Sequence, residues 1–145
     1  MDLFRSTHPR QLTDRKYDIL ASRIDSEQDT CWFIRAANGK LVGYCHVSWS
    51  DTVNGRINHK VTVAPNQAYF FDSYVVRQDR QKGYHSFAIR ERLRLLAERG
   101  IDEGITTISD TNANSLRSYR GFDPQPVLKL LYVPSLGRTF ARKAR

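Results

Sequence analysis

The chain has 145 residues, a net charge of +8, 40% hydrophobic and 26% charged residues, which suits one domain with a packed core and a charged surface. No apolar run approaches the roughly 18 to 20 residues that span a bilayer, and Met1–Ser6 lacks the apolar stretch of a signal peptide. The expectation is a cytoplasmic protein without a membrane partner. The basic balance selects anionic partners: nucleic acid, an acidic protein or a phosphorylated cofactor.

In chain order, residues 1–7 read as a short first strand. Pro9 sits at a helix start, and Tyr17, Leu20, Ala21 and Ile24 make one apolar face. After the polar loop 25–29, Cys31 to Ala36 reads as a strand, Asn38-Gly39 as a hairpin turn and Leu41 to Ser50 as the returning strand. Asn54-Gly55 marks a second turn, and Ile57 to Val63 a further strand ended by Pro65-Asn66. Ala68 to Val76 is rich in aromatic and β-branched residues without a breaker, a strand signature. A basic loop with one glycine, Gly83, leads into a helix whose apolar residues Ile89, Leu93, Leu96 and Ala97 share a face, closed by Gly100. Ile105 to Ser109 then reads as a strand parallel to Ala68–Val76, with the helix crossing over. Ala113 to Arg120 is a short helix ended by Gly121-Phe122-Asp123-Pro124. Val127 to Val133 and Arg138 to Ala141 are the last strands, and the basic tail is expected to fray. This order predicts an α+β domain with a mixed sheet.

The stretch Ala68–Leu96 organises the rest. A strand running through a basic glycine loop into a helix N-terminus gathers free N–H groups and the positive end of the helix dipole at one spot, a cradle for phosphate. Between Arg77 and Arg99 stand seven Lys/Arg against three Asp/Glu, half of the net charge. A solvated helix face accounts for Arg90, Arg92, Arg94 and Arg99, but less well for Arg80 and Lys82, which flank the loop glycine. Cys31 and Cys45 fall in separate strands without metal-ligand spacing, and read as two reduced, buried thiols. No metal is expected.

Three elements follow in order: Val75-Val-Arg-Gln-Asp-Arg80-Gln-Lys-Gly83-Tyr84, preceded by Asp72-Ser-Tyr-Val75; Asn112-Ala-Asn-Ser115-Leu-Arg-Ser-Tyr119; and Gly121-Phe122. They resemble, in turn, the acyl-CoA signature, the Asn-x-x-Ser/Ala-x-x-x-Tyr element and the Gly-Phe of the GNAT superfamily of N-acetyltransferases. Together they cover residues 68–122; the first 67 fit in outline. The resemblance implies a mostly antiparallel mixed sheet of about six to seven strands with three to four flanking helices. It implies acetyl-CoA or a related acyl-CoA as co-substrate, and an amine-bearing small molecule or peptide as acceptor. Backbone groups of Tyr74, Val75 and Val76 would pair with the pantetheine arm as an added strand. N–H groups around Gln81, Lys82, Gly83, Tyr84, His85 and Ser86 would bind the pyrophosphate, with Arg80 neutralising it. The thioester would lie where the Ala68 and Ile105 strands splay, and the amine would attack its carbonyl directly. Tyr119 would protonate the leaving thiolate, and Asn112 would bond the cofactor or fix its loop.

Two departures stand out. His85 replaces the expected small residue of the loop, and Tyr119 and Gly121 are two apart where the family usually has four. Several residues keep two readings. Asp72 is a candidate general base, its pKa raised by Phe70, Phe71 and Tyr74, or a sheet residue bonded to a loop. His46 is an alternative base or a structural histidine. Asn112 is also a natural N-cap for the helix it precedes. Trp32, Trp49, Phe70 and Phe71 are core or acceptor-pocket wall. The rival functions are a catalytically silent domain of the same fold that binds CoA or an acidic partner, and a nucleic-acid module, the weaker since the cations lack interleaved stacking aromatics. A homodimer is compatible with all of these.

Overall fold

A computed structural model describes residues 2–8 and 12–144. The elements are α1 (Asp2–Thr7), α2 (Asp14–Ile24), β1 (Asp29–Arg35), β2 (Leu41–Ser48), β3 (Thr52–Asn54), β4 (His59–Val61), β5 (Gln67–Val75), α3 (Tyr84–Glu98), β6 (Glu103–Thr106), α4 (Ala113–Arg120), β7 (Leu128–Val133) and β8 (Arg138–Lys143). The fold is mixed α+β. Its main sheet has the order β1-β2-β5-β6, antiparallel except for the parallel pair β5–β6.

The expected first strand is a helix. Residues Asp2–Thr7 form α1, which buries Phe4 completely against Phe33 and Tyr44. Its two adjacent apolar residues fit either period over so short a span, and burial of one aromatic decides. The helix start assigned to Pro9 lies outside the described residues; α2 begins at Asp14, where the Thr13 side chain accepts from Lys16 N at 3.2 Å.

β2 is buried along its whole length. The α2 side covers the face of Tyr44 and Tyr74, where Lys16 Nζ stands 5.9 Å from the Tyr44 ring centroid, and α3 covers the face of Val47 and Phe70 through Leu96. A strand covered on both faces reads as a continuous apolar run, not as alternation. At the end of α3, Gly100 takes φ +67, its N–H bonds Ala97 O at 3.1 Å and the Ile101 N–H bonds Leu96 O at 2.9 Å. These two bonds are a Schellman stop, and they turn the chain back into β6.

Four further expectations change. The strand expected over 57–63 shrinks to β4, which pairs only with β3. The strand expected over 105–109 runs instead from Glu103 to Thr106. Among the described residues β7 and β8 pair with each other and join no other sheet, so the main sheet holds four strands there. The tail does not fray at Arg142: β8 continues to Lys143, and Ala144 N bonds Val127 O at 3.0 Å. The two hairpins meet at their turns, where Asn58 Nδ2 donates to Gly137 O at 2.8 Å and the Thr139 hydroxyl donates to Ile57 O. Among the described residues no helix is long and apolar enough to cross a membrane.

Gly43 lets β2 approach the end of β5. A Cβ there would run into the Tyr74 carbonyl oxygen, well inside van der Waals contact, and stand 3.2 Å from Val75 Cα. Gly43→Ala should cost about 1–3 kcal/mol, read as a lower denaturation midpoint. Gly55→Ala, with nothing within 4 Å of the new methyl, should leave the midpoint unchanged.

Candidate active site

β5 is held differently along its two edges. On one side it stays with β2 through Gly43↔Val75; on the other it pairs with β6 only from Gln67↔Glu103 to Phe70↔Thr106. The Thr106 hydroxyl closes that ladder by donating to Phe70 O at 2.8 Å. Beyond it the strands part. The pairing with β2 slips by one residue between Tyr44 and His46, so Asp72 and Ser73 together face Cys45. This is a β-bulge, and Asp72 takes φ +46, a region that Asp tolerates better than most residues.

The parting opens a cleft of about 1990 Å³. Loop residues Arg80, Gln81 and Gly83 and the first turn of α3 (Tyr84, His85, Ser86) line it, with Asp72, Tyr74 and Val75 of β5 and with Asn112 and Tyr119. The sequence-predicted residues thus come together, with two exceptions. Val76 is fully buried and its N–H donates to Val42 O at 2.8 Å, so that group belongs to the β2–β5 contact. Lys82 turns away to Asp79, with Nζ–Oδ1 at 2.7 Å, and Lys40 meets the other oxygen of the same carboxylate at 2.9 Å. Asp79 carried no signal in the sequence; both lysines draw its pKa below the ordinary value.

The α3 N-terminus is uncapped. Gly83 takes φ +82, offers no side chain, and the first helical bond comes from Phe87 N to Gly83 O at 2.9 Å. The N–H groups of Tyr84, His85 and Ser86 therefore have no partner in the helix, and the first turn holds no acid. Gly83 is demanded by its left-handed backbone, for its Cβ position faces open space. This donor set fits an anion such as a pyrophosphate. Arg80 lies against the strand end: Nε donates to Val75 O at 3.1 Å and the guanidinium stands 5.6 Å from the Tyr74 ring centroid. One backbone acceptor expected to pair with a pantetheine arm is thus covered by an exposed, movable side chain.

His85 meets Tyr119 edge-on, ring centroids 5.9 Å apart, and Tyr119 is buried. Burial and then the nearby Arg92 push the His85 pKa down to about 4, so its ring is neutral near pH 7. Asn112 does cap α4, its Oδ1 accepting from Ser115 N at 3.2 Å.

Both base candidates are engaged. Burial alone would raise the Asp72 pKa, as expected from its neighbours, but Lys16 at 2.5 Å and Arg23, which both bond Oδ2, outweigh it and the net shift is downward. The raised pKa foreseen from the sequence is corrected: the cations on α2 are 49 and 56 residues away in sequence. His46 is fully buried, Nδ1 lies 3.4 Å from Asp72 O, and burial lowers its pKa to about 4. Of the four large aromatics, Phe71 lines the cleft, stacked on Tyr69 at 5.5 Å, and Phe70 reaches it from the core. Trp32 and Trp49 do not line it; Trp49 bonds Thr30 and stacks with Arg99. Cys31 and Cys45 are free thiols with pKa raised, first by burial, Cys31 to about 12.

The acetyltransferase (GNAT) family profile matches residues 1–122. Among solved structures, aminoglycoside acetyltransferase AAC(6')-Iy in complex with a bisubstrate analogue of CoA is similar at 17% identity and TM-score 0.63, over 89% of this chain and 84% of that one. An aminoglycoside acetyltransferase from an uncultured soil metagenomic sample is similar at 15% identity and TM-score 0.58, over 91% and 84%. A transcriptional regulator from Bacillus halodurans C-125 is similar at 13% and 0.65, over 91% and 92%. At such identities these likenesses speak to the fold. No curated protein matches the sequence significantly.

Two tests follow from the engaged groups. His46 and His85 have folded pKa values below the unfolded value near 6.5, so the unfolded state takes up protons first. Stability is full above about pH 6.5 and falls toward pH 4, by on the order of 3 kcal/mol for fully buried His46; in denaturant titrations His46→Gln should flatten that slope by one proton. Asp72→Asn should lower stability at pH 7 by about 2 kcal/mol, since it strips a charge-assisted partner from two half-buried cations. An unchanged midpoint would remove the carboxylate from the scaffold. The family profile, the fold and the cleft agree: the chain belongs to the acetyltransferase (GNAT) family.

Proposed function

We propose that the chain acts over residues 1–145 as one N-acyltransferase domain, using acetyl-CoA or a related acyl-CoA, with an amine on a small molecule or peptide as acceptor. The observation that carries this reading is the uncapped α3 N-terminus opening on the same cleft in which β5 and β6 part, with buried Tyr119 beside it. The co-substrate would supply an activated acyl group. The N–H groups of Gly83 to Ser86, with Gln81 and Arg80, would hold its pyrophosphate. The open edge of β5 at Tyr74 and Val75 would align its arm, with Arg80 moving off the Val75 carbonyl. Tyr119 would hold the proton needed by the departing sulfur, and neutral His85 would pack its ring in place without adding charge. Asn112 would fix the loop before α4.

The rival reading, a binding domain without catalysis, has a specific observation behind it: Asp72 and His46 are both committed elsewhere. One experiment separates the two. Acetyl-CoA should raise the melting temperature by mass action, and thiol release should follow on adding an acceptor amine. A shift without release across an amine panel supports the rival; no shift at millimolar acetyl-CoA removes both.

Gly83→Asp should abolish the shift, since it strains a left-handed position and brings a negative charge to the cradle. Tyr119→Phe should lower kcat about 100-fold, the range of general acid catalysis, with little change in the KM for acetyl-CoA. An unchanged kcat would move the proton donor elsewhere.

A further inference from the structure

The cleft is charged unevenly along its length. Its phosphate end lies by Tyr74 and Arg80; its other end lies by Tyr69, whose hydroxyl is 3.4 Å from Asn54 Nδ2 of the β3–β4 hairpin. These tyrosines stand five residues apart on β5, roughly 16 Å. Away from the phosphate loop the lining carries Arg15, Lys16 and Arg23 of α2, Arg56 of the β3–β4 turn, and Lys129 and Arg142 of the terminal hairpin. The one carboxylate among them is Asp72, and a single negative charge serves both Lys16 and Arg23. Arg15, Arg56, Lys129 and Arg142 are exposed and have no side-chain partner among the described residues. The remaining lining acids belong to the loops after β5 and β6: Asp79 is taken by two lysines, and Asp110 stands before α4, which also brings Arg117 into the lining. A pyrophosphate at the α3 N-terminus does not reach the hairpin end.

From this placement we infer that the acceptor is an amine that also carries an anionic group, a carboxylate or a phosphate, which the cations of α2 and the β3–β4 turn receive while the amine points at the parting of β5 and β6. The inference rests on the acyltransferase reading for the amine and on the cleft charge for the anion. Low-dielectric walls concentrate such a field. Tyr69 and Phe71, stacked at 5.5 Å with Arg23 4.9 Å from the Phe71 ring centroid, line the same cleft and offer the acceptor's carbon chain an apolar wall beside a cation. The same field opposes polycations, so the aminoglycosides that two similar structures are named for are poor acceptors for this chain.

The test uses matched pairs that differ in the anion: 2-aminoethyl phosphate against 2-aminoethanol, and 3-aminopropanoate against 3-aminopropanamide, with spermidine as the polycation. Binding is measured by calorimetry to the free protein and to its CoA complex, and thiol release from acetyl-CoA is followed separately. One anionic member should bind the CoA complex about tenfold or more tightly than its neutral partner, the equivalent of one good ion pair. The advantage should shrink with added salt and vanish in Arg15→Glu/Arg56→Glu, both exposed positions. Which pair shows it distinguishes phosphate from carboxylate. Equal binding within both pairs, tighter binding of spermidine, or an advantage that CoA abolishes by competition overturns the inference. Anion-selective binding to the CoA complex without thiol release keeps the anion site of the inference and overturns the acyltransferase reading, and with it the acceptor role.

Discussion

The extra residue in β5 is the constraint on which the site depends. Until Phe70 the strand serves two neighbours; after it, β5 must follow β2 and release β6. The bulge at Asp72–Ser73 does this by inserting one residue opposite Cys45 and turning the strand end. It is costly to hold, for Asp72 sits at φ +46. Its carboxylate offsets that cost by taking Lys16 and Arg23 at once, which fastens α2 over the same point. One residue thus sits in the bulge beside the cleft, ties α2 to that point and brings a carboxylate into the lining. Gly43 completes the arrangement from β2, because only a residue without Cβ lets the strands stay together beside the Tyr74 carbonyl.

The unit from β5 to α4 was legible in the sequence because its signals are local. A breaker-free strand, a glycine at a left-handed position, an apolar helical face and a Schellman glycine each lie within a few residues of what they cause. The reading of a phosphate cradle followed from those signals, and the acyl-CoA from the resemblance. What escaped depends on partners distant in the chain. Asp72 looks like a desolvated base beside Phe71 and Tyr74, and only the fold brings Lys16 and Arg23 to it. Lys82 looks like a phosphate ligand beside Gly83, yet it goes to Asp79, whose other oxygen is held by Lys40, 39 residues away from it. Residues 1–7 carry two apolar neighbours that fit either period, and burial of Phe4 among aromatics settled the helix. The hairpins were recognised by their turns, but nothing local says that β3–β4 and β7–β8 leave the main sheet.

Beneath the site lies a polar core that a sequence cannot announce. Arg92 is fully buried, with Nε on Ala88 O, one amino group on His46 O, and its guanidinium 4.5 Å from the Phe70 ring centroid. No carboxylate meets it among the described residues, and its second amino group has no partner there. An unpaired cation in this position depresses proton binding by what surrounds it, which is one cause of the low His85 pKa. The effect at the surface is a neutral imidazole against Tyr119, in a loop whose neighbours are cations. The residue that seemed the weak point of the loop is therefore an uncharged wall, and no added positive charge faces the tyrosine.

The strongly basic composition also changes meaning once charges are placed. The densest cluster in sequence, Arg77–Arg99, is largely consumed internally. Lys82 belongs to Asp79, Arg94 to Glu91 and Glu98, Arg92 to the core, Arg99 to Trp49, and Arg80 to the end of β5. Of the cations left over among the described residues, Arg15, Arg56, Arg117, Lys129 and Arg142 line the cleft, while Arg77, Arg90, Arg120, Arg138 and Lys143 lie outside it. A nucleic-acid surface needs a stripe of free cations that tracks a backbone, with bases stacked between. Cations that line a concavity together with stacked Tyr69 and Phe71 suit a small anionic ligand. The free cations of the cleft thus lie mostly away from the α3 N-terminus, whose own anion-binding groups are backbone N–H groups.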